Sequence, residues 1–162
     1  MDYWFSAHEI AKLAADMESS GVAFYKRLQQ VAGDPTVSDM CAFFAEQEQE
    51  HRAKFLALAE TSRMSESEQC YSVDVCGMLK ASMHELGRLL SGAPSRAWSP
   101  ALVSDSLAIA AQVEATSIKV YTRMLEVYSQ PFAGELAKVL EEERKHLQTI
   151  QNVRKRPDLP LE

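Results

Sequence analysis

Four segments of this chain carry apolar residues at helical spacing, and each holds a glutamate in the middle of its apolar stripe. The first runs through Ile10, Leu13, Ala14, Met17, Gly21, Phe24 and Leu28 with Glu18 inside it; the second sets Val37, Cys41, Phe44, Phe55 and Leu58 about Glu48. In the third, Leu107, Ala110, Ile118 and Tyr121 surround Glu114, and in the fourth Leu136, Val139 and Ile150 surround Glu143. Residues three, four and seven apart share one face of a helix, so these stripes must be buried against one another. Burial carries the four carboxylates into one interior, where ionised groups are costly unless their charge is compensated. The fold therefore has to supply both a helical core and a neutralising partner at its centre.

Punctuation residues place the helices. Ser6-Ala7-His8-Glu9 forms a capping box that opens a first helix over roughly 7–32. Gly33-Asp34-Pro35 then supplies a stop, an N-cap and a first-turn proline, starting a second helix over about 35–60. Pro100 and Pro131 suit the first turns of a third helix over about 100–129 and a fourth over about 131–154. The intervening stretch opens with polar Ser62 to Gln69 and closes with Ser91-Gly92-Ala93-Pro94-Ser95, a loop composition. Between these, Val75, Met78, Leu79, Met83, Leu86, Leu89 and Leu90 keep a helical period and predict a shorter helix. The expected fold class is all-α: a four-helix bundle of two hairpins, about 7–60 and 100–154, joined by a long, partly helical crossover over 61–99, with residues 1–162 forming a single domain. A crossover of this length lets the chain return along the bundle and relates the hairpins by a pseudo-two-fold axis.

That symmetry is written in the residues. An offset of 96 lays Ala15, Glu18, Tyr25 and Arg27 on Ala111, Glu114, Tyr121 and Arg123; an offset of 95 lays Glu46, Glu48 and His51 on Glu141, Glu143 and His146. The halves read as a diverged duplication whose shared positions are mostly polar, while apolar positions have drifted, Phe24 against Val120 and Phe55 against Ile150. Glu48-Gln49-Glu50-His51 and Glu143-Arg144-Lys145-His146 each set a glutamate and a histidine three apart, on one helix face and about 4.5 Å apart along the axis. One Glu-x-x-His on a charged helix is a weak motif; two at matched places, each joined by an upstream Glu-to-Tyr heptad, are not.

Composition excludes several classes of partner. The net charge of -6 argues against a nucleic-acid or anionic-membrane surface, and the short basic run Arg154-Lys155-Arg156 suits a helix C-terminus. No apolar run approaches the roughly 18 residues needed to cross a bilayer, and the N-terminus lacks a basic stretch leading into an apolar one. Three cysteines, Cys41, Cys70 and Cys76, form no C-x-x-C pair, so they suggest neither a disulfide framework nor a thiolate metal site. A cytoplasmic location is expected.

Metal ions are the compensating partner the glutamates require. Four carboxylates facing one another would raise each other's pKa or open the bundle, whereas two divalent cations balance four negative charges and leave both imidazoles to bind neutral. The expected ligands are Glu18, Glu48, His51, Glu114, Glu143 and His146. Mixed oxygen and nitrogen ligation suits iron and also admits manganese or zinc. Tyr25 and Tyr121 lie two turns beyond Glu18 and Glu114 on the same faces, as core phenols or as donors to the ligands. Glu46, Glu50, Glu141 and Glu142 fall off the stripes and read as solvated charge, and Met17, Met40, Met124 and Cys41 as core filler.

These residues resemble the ferritin-like di-iron carboxylate proteins, and within them the rubrerythrin-like branch, in which two helices each give a glutamate and two each give Glu-x-x-His. The resemblance covers both hairpins and all six ligand positions. It implies a ferritin-like bundle with two iron ions, in which Glu18 with His51 and Glu114 with His146 are terminal ligands and Glu48 and Glu143 bridge. It also implies that Tyr25 and Tyr121 hydrogen-bond ligand carboxylates. Rubrerythrins proper carry a rubredoxin domain with two cysteine pairs that this sequence lacks, so an external electron donor is implied. Many also have a further glutamate one turn beyond the third-helix ligand, where this chain has Ser117. The implied activity is oxidoreduction, with hydrogen peroxide or dioxygen as the oxidant; ferroxidase iron handling and a bundle holding redox-inert metal are the alternatives. Tyr3, Trp4 and Phe5 near the N-terminus, with the family resemblance, suggest a homodimer.

Overall fold

The computed structural model describes residues 5–64, 70–71, 77, 80–81, 84–85, 88, 103–127 and 132–156. A two-residue strand β1 (Phe5–Ser6) leads into α1 (Ala7–Val31), which turns into α2 (Pro35–Met64); β2 (Cys70–Tyr71) follows, then α3 (Val103–Val127) and α4 (Phe132–Arg154). The four long helices stand where the apolar stripes put them, and together they form a ferritin-like bundle. The crossover helix expected through Val75, Met78, Leu79, Met83, Leu86, Leu89 and Leu90 lies on residues outside those described. Its described neighbours Gly77, Lys80, Ala81, His84, Glu85 and Arg88 are helical and exposed. Tyr3, Trp4, Pro100 and Pro131 also lie outside the described residues.

Local chemistry sets the helix ends. Ser6 Oγ accepts from the Glu9 amide at 3.2 Å while Glu9 Oε2 accepts from the Ser6 amide at 2.8 Å, the reciprocal pair of a capping box. At the end of α1, Ala32 is extended and its N–H closes the last turn on the Leu28 carbonyl at 2.9 Å. Asp34 Oδ1 accepts from the Val37 amide at 3.0 Å and caps α2. The same carboxylate receives both terminal nitrogens of Arg156 at 3.3 Å, which pins the end of α4 to the α1–α2 turn. α2 runs four residues past the expected end at 60, and Thr61 Oγ1 bonds back to the Ala57 carbonyl at 3.0 Å within that extension.

One pairing has no precursor in the sequence pattern: β1 lies antiparallel to β2, Phe5 opposite Tyr71 and Ser6 opposite Cys70. Two residues are too few for period-2 alternation to register, yet they tie the start of the crossover to the cap of α1.

The core is one apolar cluster in which Ile10, Leu28, Phe44, Phe55, Leu107, Met124, Leu136 and Ile150 are fully buried. α1 packs along α2 and α3 along α4, and the hairpins meet through α1 with α3 and α2 with α4. Leu13 and Leu58, at the stripe edges, are half-buried. No described helix is long and apolar enough to cross a membrane.

Candidate metal centre

Glu18 on α1 and Glu114 on α3 each enter the bundle alone, while α2 and α4 each contribute two groups, since a spacing of three is close to one helical turn. All six side chains are buried, from 0% exposed for His51, Glu114 and Glu143 to 5% for Glu48. They form two overlapping quartets. Glu18, Glu48, His51 and Glu143 make one and Glu48, Glu114, Glu143 and His146 the other, with the potential ligand atoms in each within 4.8 Å of one another. Glu48 and Glu143 belong to both, and each remaining glutamate shares a quartet with one histidine.

Both imidazoles turn Nδ1 inward. His51 Nδ1 is 3.0 Å from Glu143 Oε1 and 3.6 Å from Glu18 Oε2. His146 Nδ1 lies 3.6 Å from Glu143 Oε2 and 3.8 Å from both Glu48 Oε1 and Glu114 Oε2. The two rings stack at 5.9 Å between centroids, and Phe44 packs against His146 at 4.3 Å.

Buried polar atoms ordinarily have hydrogen-bond partners. Here Glu18 Oε2, His51 Nδ1, Glu114 Oε2, both Glu143 oxygens and His146 Nδ1 have none in the protein. Orphaned oxygen and nitrogen donors converging from four helices fit a pair of metal ions. The electrostatics agree. Burial, with the charge of Glu143 next in weight, pushes the Glu48 and Glu114 carboxyls well above the usual range. Burial would push both histidines down, but the carboxylates around them outweigh it and raise His51 to about 10 and His146 to about 9. Glu143 is also opposed by burial, yet Glu114 and the two histidines beside it hold it well below the usual range. Without metal, protons on the two histidines supply part of the compensating charge.

The tyrosines are braced across the bundle. Tyr25 of α1 donates its hydroxyl to Glu114 Oε1 of α3, and Tyr121 of α3 donates to Glu18 Oε1 of α1. Burial, with the nearby carboxylate charges, raises both phenols, which keeps them as donors. Each phenol thus fixes one oxygen of a glutamate and leaves the other, Glu18 Oε2 or Glu114 Oε2, facing the centre.

Two neighbours of the site were not singled out by the sequence pattern. Gly21, one turn after Glu18, is where α2 delivers Glu48: a Cβ there would stand 3.0 Å from Glu48 Oε2 and 3.1 Å from its Cδ. In the stripe it reads as one more small apolar residue. Glu142 is a correction to the expectation of solvated charge. Its Oε2 lies 2.7 Å from His51 Nε2 and 3.0 Å from Lys54 Nζ. One residue from Glu143 is about 100° around the helix, which argues for solvent, but docking of the hairpins puts that edge of α4 against the outer edge of His51. Glu46, Glu50 and Glu141 are exposed. Cys41 is buried in the apolar core, outside both quartets, with its thiol pushed up to about 12 by burial. His8 bonds the Ala59 carbonyl at 2.8 Å and His84 is exposed, so neither joins the centre.

A family model described as Rubrerythrin matches residues 9–153, which spans all four helices and every residue of the centre. Nothing matches the chain among curated proteins or among solved structures.

Proposed function

Because the chain belongs to the rubrerythrin family, we propose that its buried carboxylate and histidine cluster holds two iron ions and that the protein is an oxidoreductase acting on hydrogen peroxide or dioxygen. The observation that carries this reading is the sharing of Glu48 and Glu143 between two buried quartets. Glu18 and His51 would hold one ion and Glu114 and His146 the other, with Glu48 and Glu143 available to both. Two ferrous ions bound there would supply two electrons, which with two protons take one hydrogen peroxide to two water molecules.

The chain's own contribution is positional. The Tyr25 and Tyr121 hydroxyls hold the outer oxygens of Glu114 and Glu18, so that these carboxylates present a fixed face. Burial of all six side chains, with Phe44 packed on the His146 ring, keeps bulk water from the cluster. Electrons to restore the reduced state come from a donor outside residues 1–162, and a homodimer in the cytoplasm is the expected setting.

Anaerobic loading with ferrous iron, followed by addition of peroxide, tests the proposal. Two irons per chain and a rise in near-ultraviolet ferric absorption are expected, with sustained peroxide consumption once a reductant is supplied. Oxidation that stops after one turnover despite reductant favours ferroxidase iron handling. Protein that retains manganese or zinc and ignores peroxide is the redox-inert bundle.

A further inference from the structure

The two halves of the centre are alike in ligands and unlike in what stands behind their histidines. With Nδ1 turned toward the carboxylates, His51 presents Nε2 outward, and Glu142 Oε2 meets it at 2.7 Å. In the neutral imidazole that binds a metal, this contact selects the tautomer with hydrogen on Nε2 and a lone pair on Nδ1. Lys54 Nζ, 3.0 Å from the same oxygen, holds the carboxylate in place; both side chains are about one-third exposed, Lys54 at 30% and Glu142 at 33%. The offset of 95 that carries Glu48 and His51 onto Glu143 and His146 carries Gln47 onto Glu142 and Lys54 onto Thr149. The first hairpin therefore has an uncharged amide where the second has a carboxylate. Gln47 donates instead to Glu50 Oε2 at 3.4 Å. Among the described residues none accepts a hydrogen bond from His146 Nε2.

We propose that Glu142 is a positioning residue for His51 and makes the two metal subsites unequal, the one ended by Glu18 and His51 binding the first divalent ion. A carboxylate on the far nitrogen of a histidine ligand fixes the ring and makes the near nitrogen a better donor, an effect of about 10–100-fold in metal affinity. His146 packs its ring on Phe44 at 4.3 Å and has no such support among the described residues. The duplication supplied two equal ligand sets; divergence at positions 47 and 142 gave them different strengths. This inference rests on the dinuclear reading above.

Cobalt(II) titration of the metal-free protein under exclusion of oxygen, followed by visible absorption and calorimetry, separates the two. The wild-type chain is expected to take two ions in two distinguishable steps, the first about tenfold or more tighter. Glu142→Gln keeps the side-chain volume and should weaken the first step by about 10–100-fold, drawing the steps together with the total still two. Gln47→Glu, on the half-exposed edge of α2, should strengthen the second step instead. Circular dichroism of each variant reports that the bundle is intact. Two ions bound with one common affinity, unchanged in Glu142→Gln, overturn the inequality and leave the dinuclear centre standing. Fewer than two ions in the wild-type protein overturn the dinuclear reading itself.

Discussion

Loading the centre must expel protons, and their number follows from the site. Burial and the surrounding carboxylates hold Glu48 and Glu114 protonated beyond the usual range. Against the opposing effect of burial, the same carboxylates raise His51 to about 10 and His146 to about 9. At pH 7 the metal-free centre thus carries a proton on each histidine, and burial favours the protonated form of Glu48 and Glu114. A ligand must be deprotonated to bind, so two divalent ions displace both histidine protons and those held by Glu48 and Glu114, about two to four per chain. Zinc added to metal-free protein in weak buffer with a pH indicator, and calorimetry in buffers of different ionisation enthalpy, both count the release. About two to four protons for two zinc ions are expected at pH 7, and fewer as the pH is raised through 9 to 10. Release of about one proton or none would refute the reasoning, since the carboxylates and histidines would then not be exchanging protons for metal.

The same protonation governs stability without metal. A histidine raised above its ordinary value of 6.5 contributes stability that is complete below 6.5 and is lost as the pH rises through its folded value, about 10 for His51 and about 9 for His146. Glu48 and Glu114, raised above 4.5, act in the same sense, because the folded protein keeps protons that the unfolded chain has released. Glu143 is lowered from 4.5 and acts oppositely, its contribution present above 4.5 and lost as the pH falls. The melting temperature of metal-free protein should therefore fall between pH 7 and 10, and the loaded protein should not show that fall. An unchanged melting temperature across this interval in metal-free protein contradicts the assignment.

Four substitutions probe individual supports. Tyr25→Phe strips the partner from Glu114 Oε1 and Tyr121→Phe that from Glu18 Oε1; each should cost about 1–3 kcal/mol in denaturant melts and weaken binding of one ion more than the other. Gly21→Ala improves α1 by about 1 kcal/mol in helix propensity but presses a methyl to 3.0 Å from Glu48 Oε2. Metal affinity should fall about tenfold while the metal-free helix content holds, and equal affinity would mean that Glu48 can move aside without loss. Glu48→Ala removes an oxygen donor from both quartets, so metal analysis should find less than the wild-type content; full occupancy would show that Glu48 does not bridge.

Much of this site could be read from periodicity, because a metal centre inside a bundle needs carboxylates where apolar residues belong. Glu18, Glu48, Glu114 and Glu143 interrupt their stripes in a way that helical spacing detects directly, and the histidines follow by one turn. Proline and capping residues placed the helix starts within about three residues, since Asp34 and the Ser6–Glu9 box act locally. What spacing along one helix cannot contain is the approach of another. Glu142 reads as surface from its own helix and becomes a partner of His51 only when α4 docks on α2. Gly21 reads as a small apolar residue until the Glu48 side chain is laid across it. The β1–β2 pairing is similar, two residues joined by a contact with no local pattern.

The crossed tyrosines have a further consequence for assembly. If each phenol had bonded the glutamate of its own helix, each hairpin could preform half of the centre. Instead Tyr25 serves Glu114 and Tyr121 serves Glu18, so neither glutamate is oriented until α1 and α3 meet. The shared glutamates have the same property, because each quartet draws its residues from both hairpins. Half of this chain therefore holds no complete subsite, and metal affinity and hairpin docking are one free energy measured in two ways. Metal should accordingly stabilise the contact between hairpins more than either hairpin itself. Amide exchange along α1 and α3 should slow on loading at the turns bearing Glu18, Tyr25, Glu114 and Tyr121, while the α1–α2 turn at Asp34, already held by Arg156, changes least. Protection confined to one hairpin would break the link between the crossed bonds and assembly.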